Sequence, residues 1–110
     1  MRWGLQVMPN ALVVRLYGLL DQSCSDMWEK AAQRSLSLDK RKIILDFSGV
    51  ESVAPLGVVL CGYGLHHLQE LSINVALIRP PSTLLPVLQS HGLKRLPAVF
   101  LQEQDACLNN

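Results

Sequence analysis

The sequence carries little charge and almost no net charge. Aspartate, glutamate, lysine and arginine make up 17% of its 110 residues, with a formal sum of +1 at pH 7. Intrinsic disorder needs low hydrophobicity and a large net charge, whereas 49% of these residues are hydrophobic. There is no basic excess to release counterions from a nucleic acid or to hold an anionic membrane surface. Aromatic residues are scarce as well, at 5%, too few for the stacking platform of an RNA-binding sheet. The cysteines, Cys24, Cys61 and Cys107, are an odd set without CxxC spacing. They outline neither a disulfide framework nor a zinc site.

Long apolar runs are missing too. The charge-free stretch Ser52 to Gln69 is broken by Pro55, Gly57, Gly62, Gly64, His66 and His67, while a spanning helix needs about 20 predominantly apolar residues. Gly4, Gln6, Pro9 and Asn10 interrupt any signal-peptide core, and Arg15 follows. The expectation is one cytoplasmic domain over residues 1–110, with no membrane insertion. Its core should run from about 4 to 101, and residues 102–110 should form a frayed tail. A monomer or weak homodimer is expected.

Strand-like and helix-like segments alternate along the chain. Gly4 to Met8 reads as a weak strand and Pro9-Asn10 as a hairpin turn. Leu12, Val14 and Leu16 alternate with Val13, Arg15 and Tyr17 in a half-buried strand that Gly18 should end. Asp21, Gln22, Ser23 and Ser25 offer capping oxygens for a helix from Cys24 to Leu36, with Trp28, Ala31, Ala32 and Ser35 on one face. After a turn at Asp39-Lys40, the run Ile43-Ile44-Leu45 predicts a central strand covered on both faces.

Phe47 to Val53 reads as a crossing loop. Pro55 then opens a helix reaching Glu70, since proline's missing N–H costs nothing in a first turn. Ile73, Val75 and Leu77 make a third strand of this series. Thr83 should cap a last helix that tolerates Pro86 and ends at Gly92, followed by a short strand from Ala98 to Leu101. The order β-β-α-β-α-β-α-β predicts an α/β domain: a mixed, mostly parallel sheet of four to five strands, an initial hairpin and three or more helices.

Gly18-Leu19-Leu20-Asp21, then Ile44-Leu45-Asp46-Phe47-Ser48-Gly49-Val50, then Gly57 at a helix start and the pair Gly92-Leu93 resemble, in order and spacing, the STAS domain family. The likeness spans roughly Leu12 to Phe100, and its best-known members are anti-sigma factor antagonists. The resemblance implies a non-catalytic protein-binding module whose partner is an anti-sigma factor that is also a kinase. It further implies a loop Asp-Ser-Ser-Gly whose first serine, once phosphorylated, releases that partner. A phosphate there would add nearly two negative charges at a recognition surface, which a helix N-terminus tolerates and a partner need not.

This sequence departs from the pattern at that loop. Without gaps, Asp-Ser-Ser-Gly falls on Ala54, Pro55, Leu56 and Gly57, so the phospho-acceptor position is Pro55, with no hydroxyl. A second register places Val53 and Ala54 at the two serines, again without a hydroxyl. Three readings follow. One is an anti-sigma factor antagonist not switched by phosphorylation at that loop, binding an anti-sigma factor or kinase-like regulator. Another is a STAS accessory subunit docking on the ATPase of a lipid-transport ABC system, to which Leu20-Asp21-Gln22 and Trp28-Glu29 bear a local likeness. The last is a ligand or nucleotide sensor of the same fold.

The partner-binding residues expected on this basis are Asp21, Ser23, Val53, Ala54, Pro55, Leu56 and Gly57. Each also has a plainer role: Asp21 as a cap, Pro55 as a rigid helix start, Val53 and Leu56 as inward-facing core. Ser52 is the hydroxyl nearest the loop. Asp46 should bond nearby backbone N–H groups. His66 and His67, adjacent on a helix, point about 100° apart and cannot share a metal; with His91 they read as surface histidines. Gly62 and Gly64, each costing about 1 kcal/mol inside a helix, point to close approach by another backbone. Lys40-Arg41-Lys42 reads as a solvated edge that Lys94 and Arg95 could extend. No nucleophile–base pair or acid pair stands in the helix-start loops, so neither catalysis nor a cofactor or metal is expected.

Overall fold

The computed structural model describes residues 1–90, 92–93 and 95–108. Among them, five strands form one sheet in the order β1-β2-β3-β4-β5. β1 (Arg2–Val7) and β2 (Leu12–Leu20) make the antiparallel hairpin. β3 (Lys42–Val53), β4 (Asn74–Ile78) and β5 (Ala98–Phe100) add in parallel. The crossovers are α1 (Ser25–Ser37), α2 (Pro55–Glu70) and α3 (Leu84–Ser90), and α4 (Glu103–Leu108) follows β5.

Each crossover steps to the next strand in the same direction, so connections of one hand place all three helices on one face. That face holds the main core, where Trp28 and Ala31 of α1, Cys61 and Leu65 of α2, and Leu84 of α3 meet Leu12, Val14, Ile43, Leu45 and Leu77. The opposite face buries Val13, Ile44, Ala76 and Ile78 against Ala106 of α4. Ile43, Ile44 and Leu45 are fully buried, as a strand covered on both sides requires.

Several expected boundaries move. Residues 103–108, expected in a frayed tail, form α4, held by an Arg15–Glu103 ion pair of 2.5 Å and by Lys42 Nζ donating to the Ala106 carbonyl. Lys42 is therefore buried rather than part of a solvated edge, and desolvation lowers its pKa. Phe47–Val53 is not a loop but the second half of β3, paired with Tyr17–Leu20. Gly18 does not end β2; it sits at φ +81 beside a register shift, and the strand continues to Leu20. The first half of β2 is buried on both faces rather than half-buried. Arg2, not Gly4, begins β1.

Other expectations agree. Trp28, Ala31, Ala32 and Ser35 of α1 are all buried, α2 spans Pro55 to Glu70, and Gly92 has φ +67 after α3. Asp46 Oδ1 accepts the Ser48 N–H at 2.9 Å. His91 and Lys94 lie outside the described residues. The glycines of α2 meet different neighbours: a Cβ on Gly64 would collide with the Trp28 indole, a side chain and not the expected backbone.

Gly64→Ala is a direct check. In an open helix that change gains about 1 kcal/mol, whereas here it should cost about 1–3 kcal/mol through overpacking. Urea unfolding of the two proteins would give the sign.

Candidate functional site

The carboxyl ends of β2 and β3 converge where α2 begins. Leu20 pairs with Val53, and the Ala54 N–H donates to the Leu20 carbonyl at 2.8 Å. Ala54 has φ −94 and ψ 144, the extended conformation that a following proline imposes. Pro55 takes the first helical position, and no side chain caps the helix. A Cβ on Gly57 would lie 2.6 Å from the Leu20 carbonyl carbon and 2.8 Å from Asp21 Cα. Only a glycine lets the two backbones meet so closely.

On the other side of that contact, Asp21 caps a 3-10 turn over Gln22–Cys24. Its Oδ1 accepts the Ser23 N–H at 3.0 Å and the Ser23 hydroxyl at 2.5 Å. The hydroxyl bond, then the backbone bond, holds the Asp21 carboxyl below its ordinary value of 3.8. Capping and a surface position thus coexist at Asp21, which adjoins Gly57.

The seven residues expected at a docking surface are brought together, but unequally exposed. Pro55 and Leu56 are open to solvent, Leu56 at 51%, and Ser23 is exposed beside them in the turn. Val53 and Ala54 are half-buried, with Val53 packed on the core, and Gly57 is buried as the pivot. Two further residues extend the exposed surface: Leu19, 43% exposed on β2, and Tyr63, 63% exposed on α2. Tyr63 follows Leu56 by seven residues and so shares its stripe of the helix; that spacing was readable in the sequence. From Val53 to Leu65 there is no charged residue.

Ser52 is exposed on β3 opposite Leu19. A cleft of about 320 Å³ lies beside it, lined by Phe47, Arg79 and Thr83 among others. A larger cleft, about 600 Å³, opens at the amino ends of β3 and β4 near Lys42, Asn74 and Arg95. His66 Nδ1 lies 2.9 Å from Glu70, and His67 faces solvent. Among the described residues, no group of three or more His, Cys, Asp or Glu could hold a metal ion, and no helix is long and apolar enough to cross a membrane.

A mixed sheet with three crossover helices on one face, and a glycine-pivoted helix start at its carboxyl edge, defines a small α/β domain with an apolar edge surface. The STAS domain family matches residues 2–106, and the chain belongs to that family. No curated protein sequence matches it. Solved structures with the same fold include those of anti-sigma factor antagonists. The unphosphorylated anti-sigma factor antagonist SpoIIAA superposes with TM-score 0.69 at 19% identity, covering 98% of this chain and 96% of that one. A serine-to-glutamate variant of RsbS from Moorella thermoacetica gives 0.74 at 20% identity, covering 99% and 97%. An anti-sigma factor antagonist from Mycobacterium paratuberculosis gives 0.67 at 19% identity, covering 96% and 89%.

Two outcomes follow from the geometry. Ala54→Ser supplies the missing cap oxygen in suitable backbone geometry, and urea unfolding should show about 0.5–2 kcal/mol of added stability. Asp21→Asn should lower stability at neutral pH. Because the folded pKa lies below the unfolded one, the carboxylate's contribution is complete above about pH 4 and fades as pH falls through the folded value. The stability difference between wild type and Asp21→Asn should therefore shrink in acid.

Proposed function

We propose that this protein is a non-catalytic binding module of the anti-sigma factor antagonist type, and that its α2 start docks an anti-sigma factor or kinase-like regulator. The observation that carries the reading is the exposed, uncharged ridge of Pro55, Leu56 and Tyr63 rising from a pivot at Gly57. Apolar side chains held outward on a rigid element are what a desolvated interface centre uses. Asp21 and Ser23 form the polar border of the ridge, and their mutual hydrogen bonds keep that border fixed.

The phospho-acceptor position is Pro55, which has no hydroxyl to esterify. The ridge therefore stays in its uncharged, binding-competent form, and control passes to the amount of protein or to another site. The family members whose structures superpose include one described in both unphosphorylated and phosphorylated forms, SpoIIAA. In this chain the residues from Val53 to Gly57 carry no hydroxyl to accept a phosphate.

The test compares wild type with Pro55→Glu. A carboxylate at the first helical position suits the helix dipole, so the fold should persist, as circular dichroism would verify. Buried without a partner in an interface, that charge costs about 2–5 kcal/mol. Wild type should capture an anti-sigma factor or kinase-like regulator from its native lysate, and Pro55→Glu should bind the purified regulator at least about tenfold more weakly. Equal affinity of the two forms would remove the ridge from the interface, and recovery of an ABC ATPase would replace the partner class.

A further inference from the structure

The amino ends of the parallel strands carry a second constellation, at the far end of the sheet from the start of α2. Lys42 opens β3 and Asn74 opens β4, and the two are direct partners across the ladder. Neighbouring strands lie about 4.8 Å apart, and paired residues point to the same face. Side chains alternate along a strand, so Ala76 shares the face of Asn74. Ala98, its partner on β5, and Phe100, two residues further, share that face too. It is the face that α4 covers in part: Ala76 is buried with Ala106, and Phe100 packs on the same cluster.

Beside α4 this face opens into the cleft of about 600 Å³, lined by Lys42, Asn74, Ala76, Arg95, Ala98 and Phe100 among others. Small-molecule sites have volumes of about 300–1,000 Å³. The space has a cause in the sequence. Two of the strand residues that line it are alanines, and their single methyl groups leave the volume that a leucine would fill.

Two cations stand on this cleft, and among the described residues no aspartate or glutamate lines it. Arg95 donates from Nη2 to Asn74 Oδ1 at 2.6 Å, and the Arg95 carbonyl accepts from Gln69 Nε2. The Asn74 N–H in turn donates to the Arg41 carbonyl at 2.8 Å. The guanidinium is thus fixed over Asn74, whose ladder partner is Lys42. Arg95 and Asn74 are exposed, whereas Lys42 is 7% exposed and donates from Nζ to the Ala106 carbonyl. One cation is wet and forked, the other dry and compact. Desolvation lowers the Lys42 pKa, a cost to its charge that an anion in the cleft would offset.

We propose that this cleft binds a small organic anion, with a carboxylate or phosphate head group between Lys42 and Arg95 and a flat apolar body over Ala76 and Ala98 against Phe100. The guanidinium fork matches the paired oxygens of either head group. The ammonium adds a point charge that acts more strongly away from water. Further lining from Ile73, Leu96 and Pro97 suits a ring system rather than an inorganic ion. The site lies at the opposite end of the strands from the docking ridge and does not rest on that reading.

The experiment titrates ¹⁵N-labelled protein with naphthoate, with naphthyl phosphate and with the neutral naphthamide. At least one of the two anions should bind, with shifts concentrated at the amides of Asn74, Ala76, Leu96 and Ala98 and none at Leu56 or Tyr63. The better-bound anion identifies the head group, and naphthamide should bind at least about tenfold more weakly than it. Arg95→Gln and Lys42→Met should each weaken that anion at least about fivefold. Ala98→Leu, which fills the cleft and leaves both cations in place, should weaken it at least about tenfold. If Lys42→Met fails to fold by circular dichroism, Arg95→Gln and Ala98→Leu still decide. Equal affinity for naphthamide, shifts centred outside the cleft, or no binding of either anion at millimolar concentration would overturn the proposal. So would an Ala98→Leu protein that binds as wild type does.

Discussion

Much of this molecule depends on one backbone contact, the approach of Gly57 to Leu20 and Asp21. It fixes where β2 ends, where α2 begins and how far apart α1 and α2 can stand. With that distance set, Cys24 and Cys61 are buried in one core cluster and the Trp28 indole fills the space over Gly64. On the outer side of the same contact, Pro55 and Leu56 are pushed into solvent. A core constraint and a surface feature therefore share one cause. A residue larger than glycine at position 57 would have to move the helix, and both features would shift with it.

The sequence showed the sheet's central strand and the long helix because burial wrote them in plain periodicity. Ile43-Ile44-Leu45 is apolar without a break, and both faces are indeed covered. The second half of β3 was illegible for the opposite reason: Ser48, Gly49, Glu51 and Ser52 extend past the helices, and hydrogen bonding to β2, not burial, makes them a strand. Among the α4 residues of described burial, one is fully buried, Ala106, and it follows Glu103, Gln104 and Asp105. A six-residue helix with its apolar residues bunched at one end shows no period to detect. Lys42 misled in another way, because a lysine in a basic run gives no sign that a carbonyl on α4 awaits its ammonium group.

The surface was partly legible. Asp21, Pro55 and Gly57 could be singled out from their motifs, and the structure gathers them at one edge. It does not treat them alike: Gly57 supports, Asp21 fixes the turn, and Pro55 with Leu56 is presented outward. Leu19 and Tyr63 were missed because exposure of an apolar side chain depends on tertiary packing, which spacing alone does not reveal. Structural likeness at 19–20% identity defines the fold. The chemistry of the helix start is this chain's own: uncharged from Val53 to Leu65, without a side-chain cap.

The central claim is that partner recognition takes place on the uncharged start of α2. The most direct measurement is a ¹⁵N NMR titration of this protein with the regulator it captures. The account predicts amide shifts concentrated at Leu19–Ser23 and Ala54–Gly57, continuing along α2 to Tyr63, with the amino ends of β3 and β4 unmoved. Shifts centred instead on the cleft near Asn74 and Arg95 would contradict it.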